Sequence, residues 1–294
     1  MIREKRPVLL MLTAVLLLMT SCVKHIDSID KEYDTEKSTQ EMTPEDVKED
    51  LTGGKAAIIY SEQYEEGCRF IEEVLKGDED LEIVVLNDVP DPSEYPLVIA
   101  GKDRQKELQG FNNIIFLEDL FDPIYMADDI CGSILKDLDA RGIEDKIIAA
   151  GPRLGEALSD KIGELCQQNG AGFIRLASED DYDTLFSDHP EGFGYIAYDP
   201  EEALKIRDKM IDLGMQDKVS IFSLLWSDEI ESSMRKVMVF GSLVEDIDAA
   251  RSYAKERISV PKKLYGNNLI LVTRENIDSP ETEKTISFRR DFSD

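Results

Sequence analysis

Two histidines in 294 residues leave little room for imidazole chemistry. His25 lies in an acidic stretch near the start and His189 precedes Pro190, and no Ser–His or Cys–His arrangement can be drawn around either. The chain also lacks an H-E-x-x-H sequence and a glycine-rich phosphate loop, so zinc-peptidase and nucleotide chemistry have no motif to rest on and no catalytic residue is expected. Cysteine is scarce. The four residues form no C-x-x-C pair, which excludes zinc-ribbon and thioredoxin-like readings. With Cys22 set aside, Cys68, Cys131 and Cys166 each fall in an expected helix, and their odd number argues for buried thiols over a disulfide framework. Positive charge is short as well, with 34 basic residues against 62 acidic ones and a net charge of −28. No basic stripe offsets that excess, so phosphate backbones are repelled and nucleic acid is excluded as a partner. The densest acidic cluster, Glu179-Asp180-Asp181-Tyr182-Asp183, lacks the alternating ligands and the glycine of a calcium loop. No metal and no cofactor is expected. Long apolar runs are missing except for Val8 to Met19, interrupted only by Thr13 and too short to span a bilayer.

That run has a purpose of its own. Arg3, Lys5 and Arg6 precede it, and Met19-Thr20-Ser21-Cys22 closes it with small residues before a cysteine. The pattern resembles a bacterial lipobox, with Met19 where leucine is usual, and implies a signal peptide over residues 1–21 with acylation (palmitate-like chains) on Cys22. Removal of 1–21 takes away three basic residues and one acidic one, so the mature surface is more negative still. Anionic headgroups repel such a surface, which leaves acyl chains as the membrane attachment, on the extracytoplasmic face. Residues 22–54 follow as a spacer. Between Val23 and Gly54 there are ten acidic and four basic residues and almost no apolar periodicity, a composition that cannot bury enough surface to order itself.

From Lys55 the pattern changes to short apolar runs alternating with helical periods. Ala56–Tyr60, Leu81–Leu86, Pro96–Ala100 and Asn113–Leu117 read as strands, with a helix through Cys68, Phe70, Ile71, Val74 and Leu75. The rhythm continues with a helix over Tyr125–Ala140 and strands at Lys146–Ala150, Phe173–Leu176, Gly194–Tyr198, Val219–Phe222 and Val237–Leu243. Helices separate them, and Leu269–Thr273 and Thr285–Phe288 read as late strands. Apolar runs of this length between helices indicate α/β architecture with parallel sheets covered on both faces.

Three stretches carry a resemblance. Ile196-Ala197-Tyr198-Asp199-Pro200-Glu201-Glu202-Ala203-Leu204-Lys205 leads through Asp212-Leu213-Gly214 to Lys218-Val219-Ser220-Ile221-Phe222; Lys146 to Pro152 and Asn268 to Asn276 complete the set. These are similar to the strand–turn–helix–strand unit, the first strand of the second lobe and the C-terminal strand of the type I periplasmic-binding-protein family. The resemblance implies a two-lobed α/β fold: a first lobe over 55–121, a second over 122–259, and 260–294 returning to the first. It implies a monomeric solute-binding lipoprotein that closes on a small polar ligand, sugar-like, and hands it to an ABC permease or a sensor kinase. Only about ten residues separate the strands ending at Leu86 and beginning near Pro96, where the family places a helix, so the first lobe is expected to be shortened. The family's DNA-binding headpiece is absent.

Ligands of open parallel sheets sit beyond the carboxyl ends of the strands. That rule selects Tyr64, Asn87, Lys102 and Phe121 from the first lobe and Arg153, Tyr198, Asp199 and Trp226 from the second. The set supplies aromatic faces for sugar C–H surface and planar polar groups for paired hydroxyls. Asp199 precedes a helix and is both a cap and a ligand candidate. Ser223-Leu224-Leu225 stands where the family often carries a ligand-binding Asp, which favours a second reading: a receptor-like lipoprotein that engages another envelope protein.

Overall fold

The computed structural model describes residues 54–91, 94–111, 113–259 and 268–293. The expected signal peptide, Cys22 and nearly all of the spacer lie outside them, although Gly54, assigned to the spacer, opens the first strand.

The first sheet holds β1 (Gly54–Ile59), β2 (Leu81–Leu86), β3 (Leu97–Ala100) and β4 (Ile114–Phe116) in the order β2-β1-β3-β4, all parallel. Helix α1 (Glu65–Lys76) crosses from β1 to β2 and buries Cys68, Phe70, Ile71, Val74 and Leu75 against one face. Among the described residues no helix joins β2 to β3. Val89, Tyr95, Leu108 and Phe111, from irregular chain, cover the opposite face instead, so the lobe is shortened as expected.

The second sheet runs β10-β9-β8-β7-β5-β6, with β5 (Ile147–Ala150), β6 (Gly172–Arg175), β7 (Phe193–Ala197), β8 (Val219–Ser223), β9 (Gly241–Glu245) and β10 (Leu269–Thr273). All pairings are parallel except β10 with β9. β7 and β8 are buried along their whole length, as strands covered on both faces must be. On one face lie α3 (Ala127–Ala140) and α4 (Glu156–Gln168), reached through the four-residue helix α2 (Leu117–Leu120). On the other lie α5 (Tyr182–Asp188), α6 (Pro200–Asp212) and α7 (Asp228–Arg235). Together with the first sheet this is the two-lobed α/β arrangement expected.

The chain passes between the sheets at the carboxyl ends of their strands: after β4 through residues 117–126, and after β9 into α8 (Ile247–Ser259). Asn268, just before β10, donates from Nδ2 to the carbonyl of Leu120 at 2.8 Å, which ties the two carboxyl edges together.

Two boundaries differ from expectation. Ile247, Ala250 and Ala254 of α8 belong to the first-lobe core, although residues up to 259 were assigned to the second lobe. Arg257 fastens that helix: its Nε donates to Asn113 Oδ1 at 3.0 Å and its Nη2 to the Ile114 carbonyl at 2.9 Å. Conversely, Leu269–Thr273 does not return to the first lobe but pairs with β9 in the second sheet. Thr285–Phe288 is not a strand. It lies in α9 (Pro280–Ser293), where Ser279 Oγ accepts from Thr282 N at 3.3 Å and caps the helix. The buried residues Thr282, Thr285 and Ile286 recur at helical spacing, and Phe288 and Phe292 reach Phe70 of α1 edge-on at 5.8 and 5.3 Å.

Candidate functional site

The order β6-β5-β7 contains a reversal. The chain leaves β5 outward to β6 and then returns to the other side of β5 as β7. Crossovers at such a point diverge to opposite faces, which opens a crevice beyond the strand ends where loops and helix N-termini converge. Arg153 follows β5 there, and Tyr198 and Asp199 follow β7.

Asp199 is the N-cap of α6, with Oδ1 accepting from the Glu202 amide at 2.9 Å and Pro200 filling the first turn. The same carboxylate takes both terminal nitrogens of Arg153, Nη2 to Oδ1 at 2.8 Å and Nη1 to Oδ2 at 2.5 Å. Capping and ion pairing therefore coexist on one side chain. The bidentate geometry suits a planar guanidinium and fixes the direction of both groups.

Beneath this pair lies Glu202, wholly removed from solvent. Its Oε1 accepts from the Tyr195 hydroxyl at 2.7 Å and the Tyr182 hydroxyl at 3.4 Å, and its Oε2 accepts from the Tyr198 amide at 3.0 Å. Arg153 Nε stands 3.7 Å from Oε2. A buried carboxylate persists only when its lone pairs are filled and a counter-charge is near, and both conditions hold. Gly151 makes the approach possible, since a Cβ there would overlap Glu202 Oε1 and come within 2.8 Å of the Tyr195 hydroxyl.

Burial works against the charge on Arg153, but Asp199, Glu202 and Glu201 outweigh it and hold the guanidinium above its ordinary pKa. Burial, reinforced by the charge on Glu202, drives Tyr195 far up. Tyr182 is pushed up to about 12, chiefly by burial. Both phenols therefore stay neutral and act as donors.

Above the network the surface is aromatic and apolar. Tyr198 is 44% exposed and Leu225 43%, and the bond from the Leu224 amide to the Ala197 carbonyl (2.9 Å) keeps their two turns adjacent.

Each first-lobe candidate has partners within its own lobe. Tyr64 bonds to Glu118, which raises its phenol to about 12, and its ring packs on Gly101. Glu118 also accepts from the Lys102 amide at 3.0 and 3.1 Å, and Lys102 Nζ lies 2.7 Å from Asp119. Asn87 is exposed, and its carbonyl accepts from Arg104 at 3.3 Å. Phe121 is partly buried and packs edge-on against Phe70 of the first-lobe core at 6.0 Å. Trp226 is only 7% exposed and sits in the second-lobe core. It borders a groove with Ser227, Asp228, Ile286, Arg289 and Arg290, and shares none of those neighbours with the Arg153–Asp199 pair.

The structure thus brings together Arg153, Tyr198 and Asp199, and it adds Tyr182, Tyr195, Glu202 and Gly151, which sequence reasoning missed. Glu202 three residues after Asp199 reads as an ordinary first-turn acid of a capping box, and Tyr195 as a strand interior. Among the described residues, no group of His, Cys, Asp and Glu could hold a metal ion.

Neither a family model nor a curated protein sequence matches the chain. Solved structures do. A carbohydrate-transporter solute-binding protein of Agrobacterium radiobacter in complex with D-arabinose superposes with a TM-score of 0.53 at 12% identity, over 79% of this chain and 98% of that one. An ABC-transporter solute-binding protein of Agrobacterium vitis with bound D-fucose gives 0.51 at 8% identity, covering 79% and 99%. A galactofuranose-binding protein gives 0.51 at 9% identity, covering 80% and 99%. The fold is that of the type I periplasmic-binding proteins. These neighbours are named as solute-binding and galactofuranose-binding proteins.

Proposed function

We propose that this protein captures a small polyhydroxylated ligand, a sugar or a close chemical relative, between its two lobes on the outer side of a membrane. The observation that carries the reading is the exposed Tyr198 ring beside the Arg153–Asp199 pair at the β5–β7 crevice. An aromatic face covers the C–H side of a pyranose, and a coplanar guanidinium and carboxylate pair with neighbouring hydroxyls as donor and acceptor. The sugars named for structural neighbours point the same way. Acyl chains on Cys22 would tether the protein, with 22–54 as spacer, and an ABC permease or sensor kinase would receive the ligand.

Thermal unfolding of the full chain against neutral monosaccharides, amino sugars, nucleosides and amino acids tests the reading. A ligand at a hundred times its Kd stabilises by about 2.7 kcal/mol, a Tm rise on the order of 5–10 °C. No shift with any member overturns it.

A second reading is favoured by a specific observation: Arg153, Tyr64 and Lys102 already have intramolecular partners, and Phe121 and Trp226 are packed. Under that reading the cleft is filled by its own side chains, and the surface engages another envelope protein. Recovery of one defined partner by cross-linking, with no response to small ligands, selects it.

A further inference from the structure

Cys131 and Cys166 are 35 residues apart in sequence, on α3 and α4, which lie side by side on one face of the second sheet. Their Sγ atoms are 4.0 Å apart. Both are buried, 1% and 0% exposed, among Ile130, Ile134, Leu158, Ile162 and Leu165. Cys68 is elsewhere, in the first lobe, where its thiol faces the Ile59 carbonyl at 3.7 Å. The odd number of cysteines that argued against a disulfide thus resolves in space into one pair and one single residue.

We infer that Cys131 and Cys166 are the two halves of a disulfide that forms as the chain folds in the presence of an oxidised thiol compound. A covalent S–S bond is about 2 Å long, so the sulfurs close the gap by side-chain rotation and a small shift of two packed helices. The Cys131 thiolate attacks one sulfur of a small-molecule disulfide and expels the first thiolate. The Cys166 thiolate then attacks Cys131 Sγ in the mixed disulfide and expels the second. Two protein thiols are oxidised, one external disulfide is reduced to two thiols, and the two protons pass to the departing thiolates. Burial sets the timing. Neither sulfur is reachable once α3 and α4 have docked, so exchange occurs during folding or local opening, and the finished bond is shielded from reductants.

The link bears on the crevice as well. α4 starts at Glu156, directly after the turn carrying Arg153, and joining it to α3 anchors the element behind that turn.

The test is a peptide map. The full chain is refolded with mixed oxidised and reduced glutathione, denatured without reductant, alkylated, digested and analysed by mass spectrometry. The expected result is one linked peptide joining Cys131 to Cys166, alkylated Cys68, and a Tm that falls by about 5–10 °C on reduction. Cys68→Ser keeps the link, and the Cys131→Ser/Cys166→Ser double variant unfolds at a temperature that reductant does not change. Alkylation of both Cys131 and Cys166 in the unreduced sample overturns the proposal, as does a bond from either to Cys22 or Cys68. If the double variant fails to fold, the wild-type map alone decides.

Discussion

Arg153 closes both terminal nitrogens on the carboxylate of Asp199, a residue 46 positions later that also caps a helix. One side chain thereby joins the turns after two adjacent strands, and its two duties can be separated. Asn at position 199 keeps the capping oxygen but loses the charge. Asp199→Asn is expected to cost about 0.5 kcal/mol and Asp199→Ala about 1–2 kcal/mol in urea unfolding. Under the proposed function both also weaken binding of a sugar found by the thermal screen about tenfold or more, measured by calorimetry. Equal stability loss in the two variants would show that the cap is not carried by the side-chain oxygen.

Removing Glu202 strands several groups at once. Glu202→Ala leaves the Tyr195 hydroxyl and the Tyr198 amide without their acceptor inside the protein. The expected loss is about 3 kcal/mol. Glu202→Gln keeps acceptor capacity and loses less, and Glu202→Ala with Tyr195→Phe recovers part of the deficit in a double-mutant cycle.

Gly151 is needed for space rather than for an unusual backbone angle. The methyl of Gly151→Ala overlaps the Glu202 carboxylate, and a destabilisation of about 2 kcal/mol is expected. Gly151→Ala combined with Glu202→Ala is then less damaging than the sum of the two, which unfolding midpoints measure.

Tyr182 gives a dependence on alkaline pH. Its native pKa of about 12 lies above the ordinary value of 10.0. The unfolded chain releases the proton first, so this contribution to stability is whole below pH 10.0 and is lost as pH rises from there towards 12. The urea midpoint of the wild type is expected to fall more between pH 9 and 11 than that of Tyr182→Phe. Equal falls would refute the assignment.

Val237 sits at φ 65°, a left-handed conformation that a β-branched side chain resists, and is half exposed in the turn after α7. Val237→Gly is expected to raise stability by about 1 kcal/mol, because it removes strain without emptying a core position.

Much of the architecture was legible because it rests on local pattern. Alternating apolar runs and capped helices, such as Asp199-Pro200 to Gly214, announce their elements wherever they pack. The C-terminal boundaries were harder. Nothing between Ile247 and Ser259 tells which sheet the helix will cover, since that is decided by Arg257 reaching Asn113, 144 residues away. Thr285-Ile286 has β-branched character, and the Ser279 cap outweighs it. Strand-end position names Arg153, Tyr198 and Asp199, which the structure places side by side, whereas Phe121 and Trp226 satisfy the same rule and pack against core residues. Glu202 escaped because a carboxylate in a first helical turn is ordinarily solvated, and only the space left by Gly151 and the hydroxyls of Tyr195 and Tyr182 make it a buried one.

Residues 268–293 serve both halves. Phe288 and Phe292 complete the packing around Phe70, and Leu269–Thr273 seals the edge of the sheet built on the other side. A chain cut before Leu269 would therefore lose an edge strand from one sheet and two aromatic rings from around Phe70 in the other lobe, so a single truncation would damage both halves at once.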